Sequence, residues 1–99
     1  SGNLLGLREG SKAVTNANAL DITLGTYVTG EGSATDKLAL CLVNPDNKLA
    51  LNIQNITTRD QSSVTINVPP AMTGVNHLYA FYYNSLNNQV SGSMKLAIT

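Results

Sequence analysis

Apolar residues in this chain recur at every second position, in short runs separated by turn residues. Leu20, Ile22 and Leu24 alternate with Asp21 and Thr23. Leu38, Leu40 and Leu42 alternate with Ala39, Cys41 and Val43. Leu49, Leu51 and Ile53 follow, and then Val64, Ile66 and Val68 with Thr65 and Asn67 between them. Successive side chains of an extended backbone point to opposite faces, so a period of two places one row on a core. Helical periodicity persists nowhere. Asn, Thr, Ser and Gly abound, whereas Glu and Arg occur twice each, so the residues that usually coat helix surfaces are scarce.

Turn chemistry divides the runs. Asn44-Pro45-Asp46-Asn47 is a turn because Pro presets φ at its second position, so the strands Lys37–Asn44 and Leu49–Ile53 are expected to form a hairpin. The first of these is apolar on both faces, which predicts that both are covered. Pro69-Pro70 ends the strand 64–68, since neither ring can donate a ladder hydrogen bond. His77–Tyr83 reads as a strand with His77, Tyr79, Phe81 and Tyr83 on one face. The turn Ser85-Leu86-Asn87-Asn88 follows, then a last strand from Gln89 to Ile98 in which Gly92 allows a bulge. Lys12–Thr15 and Leu4–Leu7 are candidates for an edge strand, weakened by Gly6 and Gly10, and residues 26–35 read as a loop. About seven short strands with turn signals every 8–12 residues predict an antiparallel β-sandwich, with a small barrel as the alternative architecture.

At 99 residues the chain has the size of a single domain, 1–99. It does not begin with Met, and Ser1-Gly2 reads as a cloning scar, so an excised C-terminal part of a longer protein is expected. Six Lys+Arg balance six Asp+Glu. No two of the cations are adjacent, which argues against a nucleic-acid or anionic-lipid partner. No apolar run approaches the ~20 residues needed to span a bilayer as a helix, so membrane insertion is not expected. Cys41 is the only cysteine and cannot form an intrachain disulfide.

From Asp36 onward the chain resembles the C-terminal domain of an uncharacterised protein family of Bacteroidetes. The matching residues are Asp36-Lys37 before an apolar strand, Asn44-Pro45 after it, Arg59 in a polar loop, Pro69, Gly74, Tyr79-Ala80-Phe81 and Ser91-Gly92-Ser93. The match covers about two-thirds of the chain. It departs from the family at Leu24 or Gly25 and at Val43, where aromatic residues are usual, and after Ser93. The family has no assigned activity, so the resemblance implies a domain of unknown function. A looser similarity is to fibronectin type III modules. Tyr79-x-Phe81-x-Tyr83-Asn84 resembles the end of that fold, which implies an Ig-like or fibronectin type III-like sandwich with Tyr79 at the tyrosine corner, its hydroxyl bonded to upstream backbone.

Candidate chemistry is sparse. His77 is the single histidine, and a catalytic base also needs a nucleophile and an orienting group, so a structural role is expected. Cys41, among Leu40, Leu42 and Val43, reads as a buried core thiol. One Cys and one His are too few for a structural zinc site, and no calcium loop is present. No paired carboxylates, nucleophile elbow or phosphate-binding glycine motif appears. Arg59 and Asp60 are expected to cap or ion-pair a corner of the sandwich. Asn55-Ile56-Thr57 matches the N-glycosylation pattern, a coincidence if the source is bacterial as the resemblance implies. Tyr79, Phe81 and Tyr83 face opposite to Tyr82, and one of the two faces must line the core. If the other is exposed, Tyr82, with Tyr27, is a candidate surface for a protein or glycan partner.

The expectation is therefore a non-catalytic structural or protein-interaction module without cofactor, metal or catalytic residues. A carbohydrate-binding β-sandwich is the alternative.

Overall fold

A computed structural model describes residues 4–86 and 88–99. Ser1-Gly2 and Asn87 of the expected 85–88 turn lie outside the described residues. Eight strands form: β1 (Lys12–Asn16), β2 (Ala19–Thr23), β3 (Lys37–Asn44), β4 (Leu49–Ile53), β5 (Ser63–Asn67), β6 (His77–Asn84), β7 (Gln89–Val90) and β8 (Met94–Ile98). One 3-10 turn, Pro70–Met72, joins β5 to β6, and the described residues contain no α-helix. The chain is all-β, as the alternation predicts.

The strands lie in the order β4-β3-β6-β8-β1-β2-β5, with β7 paired to β6. The sheet is mixed rather than wholly antiparallel, because β1 runs parallel to β8 over the pairs Lys12–Ala97 and Ala13–Ile98. It curls into a half-barrel. Both arms turn their apolar rows inward. Leu38, Leu40 and Leu42 of β3 sit opposite Tyr82, Ala80 and Leu78 of β6, and Leu78 in turn pairs with Leu96 of β8. On the other arm Ile22 pairs with Ala13 and with Val64, and Leu20 with Ile66. These rows, with Leu7, Leu24 and Met72, make one buried cluster. Full burial of each leucine or isoleucine contributes roughly 1.5–3 kcal/mol, and this cluster is the main source of stability.

Local sequence explains the connections. Lys48 N–H donates to Pro45 C=O at 3.3 Å and closes the β3–β4 turn. Asn44 is fully buried there. Its Oδ1 accepts from Asn47 N–H at 2.9 Å, and its Nδ2 donates to Thr73 C=O at 3.0 Å and to Asn76 Oδ1 at 2.9 Å. One side chain thereby ties the hairpin to the β5–β6 crossover.

Several expectations need correction. Lys12–Asn16 is not an edge strand, since it lies between β8 and β2. Leu4–Leu7 is not a strand, and only Leu4 bridges, to Ser91. The last strand is broken into β7 and β8. At the break Ser91 N–H donates to Tyr82 C=O, and Tyr82 N–H donates to Ser91 Oγ, both at 2.8 Å. A serine hydroxyl thus replaces a backbone carbonyl, which is what lets the register shift beside Gly92.

The two faces of β6 also sort differently. Leu78, Ala80, Tyr82 and Asn84 point inward and are buried, whereas Tyr79, Phe81 and Tyr83 are half-buried on the outer face. Tyr82 is therefore a core residue and not part of an exposed rim, because it shares parity with Leu78 and Ala80. Cys41 is half-buried on the outer face, opposite Tyr79, and not in the core. Among the described residues Tyr79 makes no side-chain hydrogen bond to upstream backbone, since its parity sends it away from the interior.

Candidate functional site

Polar groups converge at the end of the sheet where β3 begins and β6 finishes. Asp36, just before β3, is fully buried. Its Oδ2 accepts from Arg59 Nε at 2.8 Å and from Ser33 N–H at 3.1 Å, and its Oδ1 accepts from Asn84 Nδ2 at 3.0 Å. A buried carboxylate is tolerated only when paired and hydrogen-bonded, and here both conditions hold.

Arg59 is almost as enclosed, with its side chain 6% exposed. Its guanidinium carbon lies 4.1 Å from the centroid of the Tyr82 ring, an attractive cation–π stack. Its Nη2 donates to Leu5 C=O at 2.6 Å, and its Nη1 makes a long contact of 3.5 Å to Gly6 C=O. Gly32 backs the guanidinium. A Cβ at Gly32 would stand 2.6 Å from Arg59 Nε, and the residue has a φ of +97°, so both space and backbone demand glycine. Tyr27 fastens the same loop by donating its hydroxyl to Gly32 C=O at 2.8 Å.

Beside this corner lies a cleft of about 240 Å³ lined by Leu5, Gly6, Leu7, Arg8, Leu24, Glu31, Arg59 and Tyr82. Arg8 donates through Nε (3.2 Å) and Nη2 (2.7 Å) to Glu31 Oε1. That hydrogen bond holds the Glu31 carboxyl below its ordinary value, helped by the charges of Arg8 and Arg59 and opposed by partial burial. It raises Arg8 correspondingly. Burial pushes the Tyr82 phenol up, against the pull of Arg59 and Arg8 and with the charge of Asp36 adding to the rise. A second cleft of about 250 Å³ opens at the far end, between the β1–β2 turn and the Pro69–Gly74 crossover.

No protein family, curated protein or solved structure matches the chain.

The structure brings both tyrosines singled out from sequence to this end, in roles other than a rim. Tyr82 forms a wall of the cleft and the floor under Arg59, and Tyr27 holds the loop above it. The expected corner ion pair of Arg59 exists, but its partner is Asp36, while Asp60 accepts from Thr58 Oγ1. His77 and Cys41 are not brought to either cleft. They stand on the outer face of neighbouring strands, His77 opposite Val43 and Cys41 opposite Tyr79. Among the described residues no three His, Cys, Asp or Glu gather to hold a metal ion, and no helix is long and apolar enough to cross a membrane. Asp36, Arg8 and Glu31 were not singled out as site residues in the sequence. Gly30-Glu31-Gly32 reads in the sequence as no more than a turn, and the structure shows that only Gly32 of the two glycines abuts Arg59.

Proposed function

We propose that the chain is a non-catalytic module that supports or binds a partner within a larger protein, built as an Ig-like sandwich. The observation that carries this reading is the separation of reactive groups from cavities. His77 and Cys41 sit on the outer sheet face, whereas the titratable groups of the first cleft are the ion-paired Arg8, Glu31 and Arg59 with the Tyr82 phenol, and the second is lined by apolar side chains with Thr and Asn. General acid–base and nucleophilic catalysis need such groups within hydrogen-bond reach of one another and of a bound substrate. The sandwich reading is supported by the pairing: β1-β2-β5 and β4-β3-β6-β8 are antiparallel ladders joined, among the described residues, by the short parallel contact of β1 with β8 and Thr99. Partners would bind at the loop ends, or by adding a strand to β4 or β5, which end the strand order. The test is turnover by the purified chain on ester, amide, glycoside and phosphoester substrates. None is expected, and an activity removed by His77→Ala or Arg8→Gln would overturn the reading.

A carbohydrate-binding function is the second reading. The pair Tyr27 and Tyr82 does not favour it, because Tyr82 is buried. What favours it is the outer row of Tyr79, Phe81 and Tyr83, with the Phe81 and Tyr83 rings 6.5 Å apart. Binding on a glycan array that Phe81→Ala and Tyr83→Ala abolish would support it, and no binding would reject it.

A further inference from the structure

We infer that the cleft between Arg8, Arg59 and Tyr82 is a binding site for a carboxylate carried on a small apolar body, and that Glu31 is its built-in occupant. The inference goes beyond the module reading and holds whether or not the chain has an activity.

Three observations converge. The first is an excess of donors. A guanidinium carries five N–H groups. Among the described residues Arg8 engages acceptors through Nε and Nη2 only, and Arg59 spends Nε on Asp36 and Nη2 on Leu5 C=O, with a long contact from Nη1 to Gly6 C=O. The second is Tyr82, which lines the cleft and whose hydroxyl makes no hydrogen bond among the described residues; the hydroxyl is open to solvent, since Ser11 Oγ alone among them is a buried side-chain polar atom without a partner. Donors of this kind, two guanidiniums and a phenol, match a carboxylate's lone pairs.

The third observation is Glu31 itself. The four charges at this corner sum to zero: Arg8 and Arg59 against Glu31 and Asp36. Asp36 is fully buried under three donors and cannot leave. The Glu31 side chain is 44% exposed and, among the described residues, hydrogen-bonded to Arg8 only, with a weaker pull from the charge of Arg59, so rotation into solvent is enough to empty its place. The cleft then carries one net positive charge, and an incoming carboxylate restores neutrality. Leu5, Leu7 and Leu24 supply apolar wall for the body attached to it. At about 240 Å³ the space falls below the roughly 300–1,000 Å³ of drug-sized sites, which limits the body to the size of one side chain. Free aromatic or aliphatic acids and a peptide's C-terminal carboxylate share this chemistry.

The test is an NMR titration of the isotope-labelled chain, following the arginine Nε–H signals and the backbone of residues 5–8 and 31. The probes are benzoate, N-acetylleucine and the neutral isostere benzamide. Benzoate or N-acetylleucine should shift the Arg8 and Arg59 signals with benzamide at least tenfold weaker. Binding of benzoate alone assigns the site to free acids, and binding of N-acetylleucine extends it to peptide C-termini. Glu31→Gln should bind the acid about two- to fivefold more tightly, the range that release of an exposed ion pair allows. Arg8→Gln should weaken it about tenfold or more, as loss of a charge-assisted hydrogen bond does. Arg8 is partly exposed, and an unchanged spectrum elsewhere shows that the variant is folded. If it unfolds, the benzamide and Glu31→Gln comparisons still decide. No shift at the arginines, equal binding of benzamide, or no tighter binding by Glu31→Gln would overturn the inference.

Discussion

Replacing Arg59 with Met while Asp36 stays in place should damage this fold more than any other single change at the polar corner. Asp36 would remain fully buried, with its Oδ2 left to the Ser33 amide and its Oδ1 to Asn84, both neutral donors. Stranding one partner of a buried pair costs about 3–5 kcal/mol. Leaving Leu5 C=O without its donor adds about 1 kcal/mol. The sum, roughly 4–6 kcal/mol, is a large share of the 5–15 kcal/mol that ordinarily holds a domain together. A fall in Tm of at least ~15 °C is expected for a chain of this size. Asp36→Asn reverses the defect, keeping a carbonyl acceptor but leaving the guanidinium with only Leu5 C=O, Gly6 C=O and the face of Tyr82, at a cost of about 3–5 kcal/mol.

The double variant removes both charges. It should therefore lose much less than the sum of the single losses, with a coupling of about 2 kcal/mol or more. The assay is urea unfolding of all four proteins, followed by far-UV circular dichroism because the chain has no Trp. Constant slopes would show that stability alone has changed. A loss under about 1 kcal/mol for Arg59→Met, the size expected of an exposed ion pair, would refute the reasoning. So would additivity of the two substitutions within ~0.5 kcal/mol.

Other consequences follow from single contacts. Gly32→Ala should destabilise by at least about 2 kcal/mol more than Gly30→Ala in the same unfolding assay, since both have positive φ but only Gly32 would push a Cβ into Arg59. The depressed Glu31 carboxyl contributes stability that is present above the unfolded value of roughly 4.3 and is lost as pH falls through the lower folded value. Thermal melts of wild type and Arg8→Gln should therefore differ at neutral pH and converge on acidification. Ser11 Oγ is buried without a partner among the described residues, so Ser11→Ala should leave stability unchanged or raise it by up to about 1 kcal/mol, read from the urea midpoint. Cys41 lies half-buried on the open outer face, so iodoacetamide should alkylate it without denaturant, and reaction only on unfolding would show that the face is covered.

What was legible in the sequence was local. The bounds of β3, β4, β5 and β6 follow within a residue or two from alternation plus Pro45 and Pro69-Pro70, because hydrophobic period and turn chemistry are both written in neighbouring residues. The β1–β2 turn at Ala17–Asn18 was not singled out. It lacks the glycine that usually announces a two-residue hairpin, and Ala17 accepts a φ of 55° instead. The parallel pairing of β1 with β8 joins opposite ends of the chain through two residue pairs, and no short-range signal encodes it. Tyr82 was misplaced for a related reason. Both rows of β6 are apolar or aromatic, so periodicity cannot say which faces inward. The choice is made across the sheet, where Leu38, Leu40 and Leu42 present a purely aliphatic row against Tyr82, Ala80 and Leu78. On the outer side the same register sets Ala39 and Cys41 under Phe81 and Tyr79.

The candidate site escaped for a further reason, and that reason bears on how it must be probed. Asp36 and Arg59 are 23 residues apart, and so are Arg8 and Glu31. Each pair joins turns that look like ordinary solvated loops when read singly. The Asp36–Arg59 pair is buried and shapes the wall of the cleft, so its removal would alter fold and binding together. The Arg8–Glu31 pair is partly exposed and contributes far less to stability than the buried pair, so its members can be changed while the cleft persists. Function at this end is therefore separable from folding only through the outer pair. A clear binding defect in Arg8→Gln with only a small shift of the melt, both measured at neutral pH, would assign the outer pair to recognition, whereas matching losses of binding and stability would return it to the scaffold.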